Sequence, residues 1–301
     1  MNELPFSDDV LDQQASMEIS TSAGKVFQPR TPVNNRDFFA GRWEQMITVA
    51  DAAAQAGLHI VIFGERGVGK SSLSNIINPL LRIMEESLTG QPGIPRLVVK
   101  VNIHQGDSFA VAWSRIFDEV SWLEDKPVMG LQAQVNTTRV TLKAAFRLSD
   151  EPNIDEVRRT LGSLPRSVII FDEFDRGSAE LRTDFTDLIK ALSDYEVNST
   201  IVIVGVSDTV DHLIRDHASI VRAVVQVHLP RMNEKELSEI LEKGSKALNT
   251  RFEPEASAMI VRMSQGLPHY THLIGLHSTR EAVIRRSRVV GLNDVHKCFD
   301  K

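Results

Sequence analysis

Cysteine, aromatic residues, long apolar runs and an excess of positive charge are all scarce in this chain. A single thiol, Cys298, in 301 residues excludes an internal disulfide, so folding must rest on a buried core. That length suffices for one large domain with a smaller one beside it. No stretch approaches the ~20 apolar residues of a membrane-spanning helix. The opening, MNELPFSDDV, is acidic and polar, where a secretion signal is basic and then apolar. These absences point to a cytoplasmic protein with no membrane partner. Lys plus Arg total 34 against 40 for Asp plus Glu, a net charge of −6, which argues against broad electrostatic attraction to nucleic acid. There is no internal repeat and no low-complexity tract.

What is present begins with Gly64-Glu65-Arg66-Gly67-Val68-Gly69-Lys70-Ser71, which fills the pattern G-x-x-x-x-G-K-[ST]. It follows the short apolar run His59-Ile60-Val61-Ile62-Phe63, suited to a buried parallel strand, and it precedes a helical pattern that starts with Ser72 and Leu73. Chemistry explains the residue types. Glycines let backbone N–H groups converge on phosphate oxygens, Lys70 supplies positive charge, and Ser71 offers a hydroxyl to magnesium. The loop therefore predicts a bound nucleoside triphosphate with Mg2+, in contact with Gly64 to Ser72. A glycine-rich turn that binds nothing is the plain alternative, and the flanking strand and helix weigh against it.

About 100 residues further on, the apolar run Ser167 to Phe171 ends in Asp172 and Glu173. A carboxylate at a strand tip suits a magnesium ligand, and its neighbour suits a residue that polarises water for in-line attack on the γ-phosphate. Asp172 takes the first role and Glu173 the second. A third apolar run, Thr200 to Val206, ends in Ser207-Asp208, which puts Asp208 where a γ-phosphate sensor or a water-positioning residue could sit.

The other segments fill out the fold. Residues 1 to 30 show little apolar periodicity and are expected to be a flexible leader. Pro32, Val33 and Phe39 flank an adenine ring or serve as plain core. Pro79 should break the helix after the phosphate loop. Leu97 to Ile103 and Ala223 to Leu229 complete five buried strands alternating with helices, which means a wound parallel sheet. Asp107 is expected to cap the helix striped by Phe109, Trp113, Ile116 and Phe117. Residues 122 to 151 fit either a short hairpin or a loose excursion. From Pro230 the composition turns helical, with Asn233 and Glu236 as a capping box and Asn293 capping a last short helix. The expected domains are the leader at 1–30, an α/β P-loop domain at 31–229 and a small helical lid at 230–301.

In this order of parts the chain resembles the AAA+ ATPases, in particular the branch of origin-recognition initiators, transposon-associated regulatory ATPases and STAND signalling switches. The resemblance runs from about Phe38 to Val295. It is carried by Phe39-Ala40-Gly41-Arg42, the phosphate loop, Val168 to Glu173, Gly205 to Asp208, Arg222 and Leu229-Pro230-Arg231-Met232. It implies ATP held with a helical lid, and homo-oligomers in which one subunit sends an arginine to its neighbour's γ-phosphate. Arg222 fits that arginine best and Arg215 second, while Arg182 is a further candidate for facing a neighbour. Gly266-Leu267-Pro268-His269 puts a histidine where many initiators have an arginine.

The leading functional expectation is a magnesium-dependent ATPase that works as an oligomeric switch through a partner protein or DNA. An ATP-binding scaffold with negligible turnover is one alternative. A DNA-loading or transposition-type ATPase using Arg280, Arg285, Arg286 and Arg288 is another. A small-molecule kinase is disfavoured, because no acceptor pocket is evident.

Overall fold

The apolar, β-branched runs become strands because each can be buried on both faces of a parallel sheet. The computed structural model describes residues 10–90, 96–127, 135–214, 220 and 222–299. Its elements open with α1 (Gln13–Val26), α2 (Trp43–Ala54), β1 (His59–Gly64), α3 (Lys70–Asn75), α4 (Ile77–Thr89), β2 (Leu97–Asn102) and α5 (Phe109–Glu119). They continue with β3 (Ser121–Pro127), β4 (Val135–Thr141), α6 (Leu142–Phe146), α7 (Ile154–Ser163), β5 (Ser167–Asp172), α8 (Ala179–Asp194), β6 (Ser199–Val206) and β7 (Val224–His228). The C-terminal part holds α9 (Glu234–Leu248), β8 (Arg251–Phe252), α10 (Pro254–Ser264), α11 (Pro268–Ile284), β9 (Val289–Val290) and α12 (Leu292–Lys297).

Two compact units divide these elements. One takes in Ile47–Gly64 and Leu80–His228, and the other Met1–Met46, Glu65–Pro79 and Leu229–Lys301. The first holds a five-stranded sheet in the order β2-β5-β6-β1-β7, parallel at every pairing. Strands β1 and β5 are buried along their whole length, which explains their unbroken apolar sequences. Trp113, Phe171, Phe174 and Phe185 pack edge to face beneath the sheet, with Phe185 4.6 Å from Phe171 and 4.9 Å from Phe174 between ring centres.

Local chemistry follows the sequence reading at Pro79 and in the expected hairpin and departs from it at the cap of α5. The first helix after the loop ends at Asn75 and a second starts at Ile77, so Pro79 lies in the first turn of α4. A continuous helix would need the missing Pro79 N–H to reach Asn75, and the break falls there. Ser108 caps α5, whereas Asp107 accepts from His104 N at 2.7 Å and pairs with Arg115. Strands β3 and β4 pair antiparallel, with Ser121 opposite Thr141 and Pro127 opposite Val135, apart from the main sheet. Residues 128–134 lie outside the described residues.

The largest correction concerns the leader. Residues 13–26 form a helix capped by Asp12, and Ile19, Ala23, Val26 and Phe27 are buried against α9 and α11. The seat of Phe27 is cut by two glycines. A Cβ at Gly244 would lie 2.2 Å from its ring, and one at Gly275 would lie 3.0 Å away. Residues 1–9 are outside the described residues. At the other end, Asn233 and Glu236 close the expected capping box on α9 at 3.0 Å in each direction. Helix α12 is begun by Gly291 rather than by Asn293, and the buried Asp294 accepts from Gly291 N at 2.8 Å.

Two buried histidines make stability depend on pH. His59 opens β1, and its Nδ1 accepts the Ile201 N–H at 3.0 Å. Burial lowers its pKa from 6.5 to about 3, while burial and the nearby His269 lower that of His272 to about 4. Both folded values lie below the unfolded one, so as pH falls the unfolded chain takes up protons first. Stability is therefore lost below about pH 6.5, by up to about 1.4 kcal/mol per pH unit for each histidine. Denaturant midpoints followed by fluorescence of the buried Trp113 should fall toward pH 4.5, and less steeply in His59→Asn. Equal slopes in the two proteins would remove His59 as a cause.

Candidate functional site

Strand β1 leads directly into the glycine-rich loop, whose backbone only glycine adopts readily. Gly67 has φ 87° and Gly69 has φ 99°, both left-handed. Gly69 stands at the start of α3 without a capping side chain, at the helix end whose dipole favours an anion. Lys70 is buried, and its Nζ donates to Glu65 O at 2.7 Å, which folds the side chain back along the loop. Ser72 Oγ accepts from Val33 N at 3.0 Å, so that hydroxyl fastens the segment ahead of the fold. Val33 and Phe39 are buried, in keeping with their reading as core.

The Phe39–Arg42 motif is held by α9. Gly41 N donates to Glu239 and Arg42 N to Glu236, each at 3.0 Å, and Lys243 Nζ donates to Phe39 O at 2.5 Å. Gly41 is required there, since its φ is 63° and a Cβ would lie 2.8 Å from Glu236. The buried Arg42 guanidinium donates to Val68 O at 3.3 Å and to Pro230 O, joining the phosphate loop to the segment that begins the C-terminal helices. Burial lowers the pKa of Arg42, and Glu236 opposes that shift. Arg231 adds a second tie, to Glu65 at 2.9 Å and to Gln265 O at 3.2 Å. The start of α11 lies against the loop. Cβ atoms at Gly67 and Gly69 would stand 3.9 Å from Leu267 and Pro268, and 4.0 Å separates the former from His269. His269 itself is exposed beside Tyr270. Arg42 and Arg231 were not legible as structural ties, because carbonyl partners and a carboxylate 166 residues away leave no mark in a sequence.

In the sheet unit, Asp172 closes β5 at 5% exposure. Its Oδ1 accepts from Glu173 N at 2.8 Å, and its Oδ2 lies 2.7 Å from Lys100 Nζ on β2. Glu173 has φ 56°, a strained conformation for a residue with a side chain, and its carboxylate, 41% exposed, pairs with Arg176 at 3.0 Å. Asp175 accepts from Val206 N at 2.8 Å, tying the turn after β5 to the end of β6. Ser207 bridges to Gly64, and Asp208 beside it is exposed. Gly64, Asp172 and Ser207 thus share the C-terminal edge of one sheet. Two strand spacings, about 10 Å, separate the ends of β1 and β5.

Arg222 is exposed just before β7, at the opposite edge of that sheet. Arg215 lies outside the described residues. Arg182 is turned inward, donating to Asp175 O at 3.2 Å and Gly177 O at 3.0 Å, which answers its reading as a residue facing a neighbour. Of the C-terminal arginines, Arg285 binds the buried Asp294 at 2.7 Å and Arg288 donates to Asn249 O at 3.1 Å. The described residues contain no group of three or more His, Cys, Asp or Glu able to hold a metal. Asp172 nevertheless fits magnesium, which is bound through one or two carboxylates plus phosphate oxygens and water. Its Oδ2 already takes a cation in the form of the Lys100 ammonium.

A glycine-rich loop following β1 of a five-stranded parallel sheet in this strand order is the arrangement of the AAA+ fold. Residues 30–274 match the family model described as novel STAND NTPase 1, and the chain belongs to that family. Among solved structures it is similar to the Aeropyrum pernix ORC1 protein in complex with DNA, at TM-score 0.60 and 15% identity over 91% of this chain and 68% of that one. The Aeropyrum pernix ORC2 protein, in ADPNP-ADP complexes, matches at TM-score 0.60 and 15% identity over 92% and 70%. The Thermotoga maritima RuvB Holliday junction branch migration motor matches at 0.52 and 16% over 90% and 72%. At these identities the likeness is one of fold. No curated protein matches the chain in sequence.

Proposed function

We propose that this NTPase binds ATP with magnesium and hydrolyses it as an oligomeric switch acting through a partner protein or DNA. The observation that supports this most is the shared sheet edge of Gly64 and Asp172, which brings the start of the phosphate loop and the two carboxylates to the same ends of parallel strands. In this reading the backbone of Gly64 to Ser71 cradles the phosphates, and Lys70 neutralises them. Ser72 supports from behind, since its hydroxyl already holds Val33. Magnesium, held by Asp172 and the Ser71 hydroxyl, would offset charge on the transferring phosphoryl group. Glu173 orients and deprotonates the attacking water, and Asp208 senses the γ-phosphate. Arg222, on the far sheet edge, serves a neighbouring subunit. Residues 31–229 form the ATPase domain and 230–301 the lid, which α1 joins by packing on α9 and α11.

A scaffold with negligible turnover is the second reading, favoured by the Glu173–Arg176 pair, which engages the carboxylate expected to act on water. DNA as partner gains less from the C-terminal arginines than their number implies, because Arg285 and Arg288 have structural duties. No helix among the described residues is long and apolar enough to cross a membrane, and a cytoplasmic setting is proposed on the lone cysteine. Particle mass and phosphate release with magnesium and ATP, against ADP, test the switch. Oligomers formed with ATP and dispersed with ADP are expected. One mass in every nucleotide state would overturn the switch, and oligomers without phosphate release would favour the scaffold.

A further inference from the structure

Lys100 is the one charged side chain in β2, Leu97-Val98-Val99-Lys100-Val101-Asn102. A lysine in a strand that pairs in parallel with β5 needs a partner, because ammonium burial is costly when uncompensated. The register supplies one. Lys100 stands opposite Ile170 and Asn102 opposite Asp172, so with the two-residue period of a strand Lys100 and Asp172 share a face of the sheet. The lysine stem covers the two-residue offset and places Nζ 2.7 Å from Asp172 Oδ2, with the side chains 24% and 8% exposed. The other carboxylate oxygen accepts from Glu173 N. Both oxygens are therefore engaged.

We infer that Lys100 is a resident counter-cation of Asp172 that competes with the divalent metal, so that the metal binds well only when nucleotide phosphates contribute further ligands. The inference rests on the reading of Asp172 as a magnesium ligand. A divalent ion within bonding distance of Oδ2 lies close to the ammonium, and two cations in a partly buried setting repel strongly. Either the lysine swings away or the metal is held loosely. In the absence of metal the same ammonium compensates a buried carboxylate, so the turn that carries Glu173 keeps its shape before nucleotide arrives. The turn is thus formed early and charged late.

The test uses the full chain and Mn2+ as the probe, titrated with and without ADP and followed by the electron paramagnetic resonance of free Mn2+. Lys100→Met, which keeps the stem and removes the charge, should tighten Mn2+ binding by about tenfold or more, and Lys100→Arg should leave it near wild type. Unchanged affinity in Lys100→Met, with Asp172→Asn losing the metal, overturns the inference alone. Unchanged affinity in Asp172→Asn overturns the reading of Asp172 itself. Thermal melting guards against a folding defect. Lys100→Met should melt below wild type without metal and recover more than wild type on adding Mn2+. A chain that stays unfolded with saturating Mn2+ counts against a counter-cation role.

Discussion

Lys70→Ala is expected to weaken ATP binding by about 100-fold or more, since charge-assisted hydrogen bonds to phosphate contribute about 1.5–3 kcal/mol each and a lysine makes more than one. The side chain is already inside the fold, lying along the loop with Nζ on Glu65 O, so little ordering remains when phosphate arrives. Alanine also removes the donor to that carbonyl, and a modest loss of stability should accompany the loss of binding. Calorimetric titration with ATP separates the two effects when the variant is kept well below its melting temperature. A Kd within about threefold of wild type would show that the loop holds phosphate by its backbone alone.

Glu173→Gln is expected to leave ATP affinity nearly unchanged and to lower turnover by about 10²–10⁴, the usual contribution of a positioned general base. The amide preserves size and can occupy the same left-handed backbone. It loses the charge that polarises water and the ion pair to Arg176, which, being half exposed, contributes little to stability. Phosphate release over many turnovers, beside a binding isotherm, gives both numbers. Equal turnover in the two proteins would remove Glu173 from the chemistry.

The main sheet was legible because parallel strands buried on both faces need continuous apolar runs, and the phosphate loop because its glycines and lysine are specified one by one. The helical C-terminal end announced itself through stripes and the Asn233–Glu236 box. The remainder depended on partners distant in sequence. Helix α1 has only a thin apolar face, and what holds it is Phe27 against two glycines more than 200 residues away. Lys100 was visible as a charge in an apolar strand, but its carboxylate was not. Arg285, grouped in the sequence with three other arginines as a DNA contact, instead binds the buried Asp294. Asp107 and Ser108 are both good caps, and side-chain pairing with Arg115 decided between them.

The chain passes between its two compact units after residues 46, 64, 79 and 228, and both ends of the sequence belong to the unit that carries the phosphate loop. Any single genetic crossover within the described chain therefore divides that unit, leaving the loop with helices of one parent and an N-terminal segment of the other. A crossover between residues 43 and 229 would take Phe27 and its glycines, and Arg42 and Pro230, from different parents.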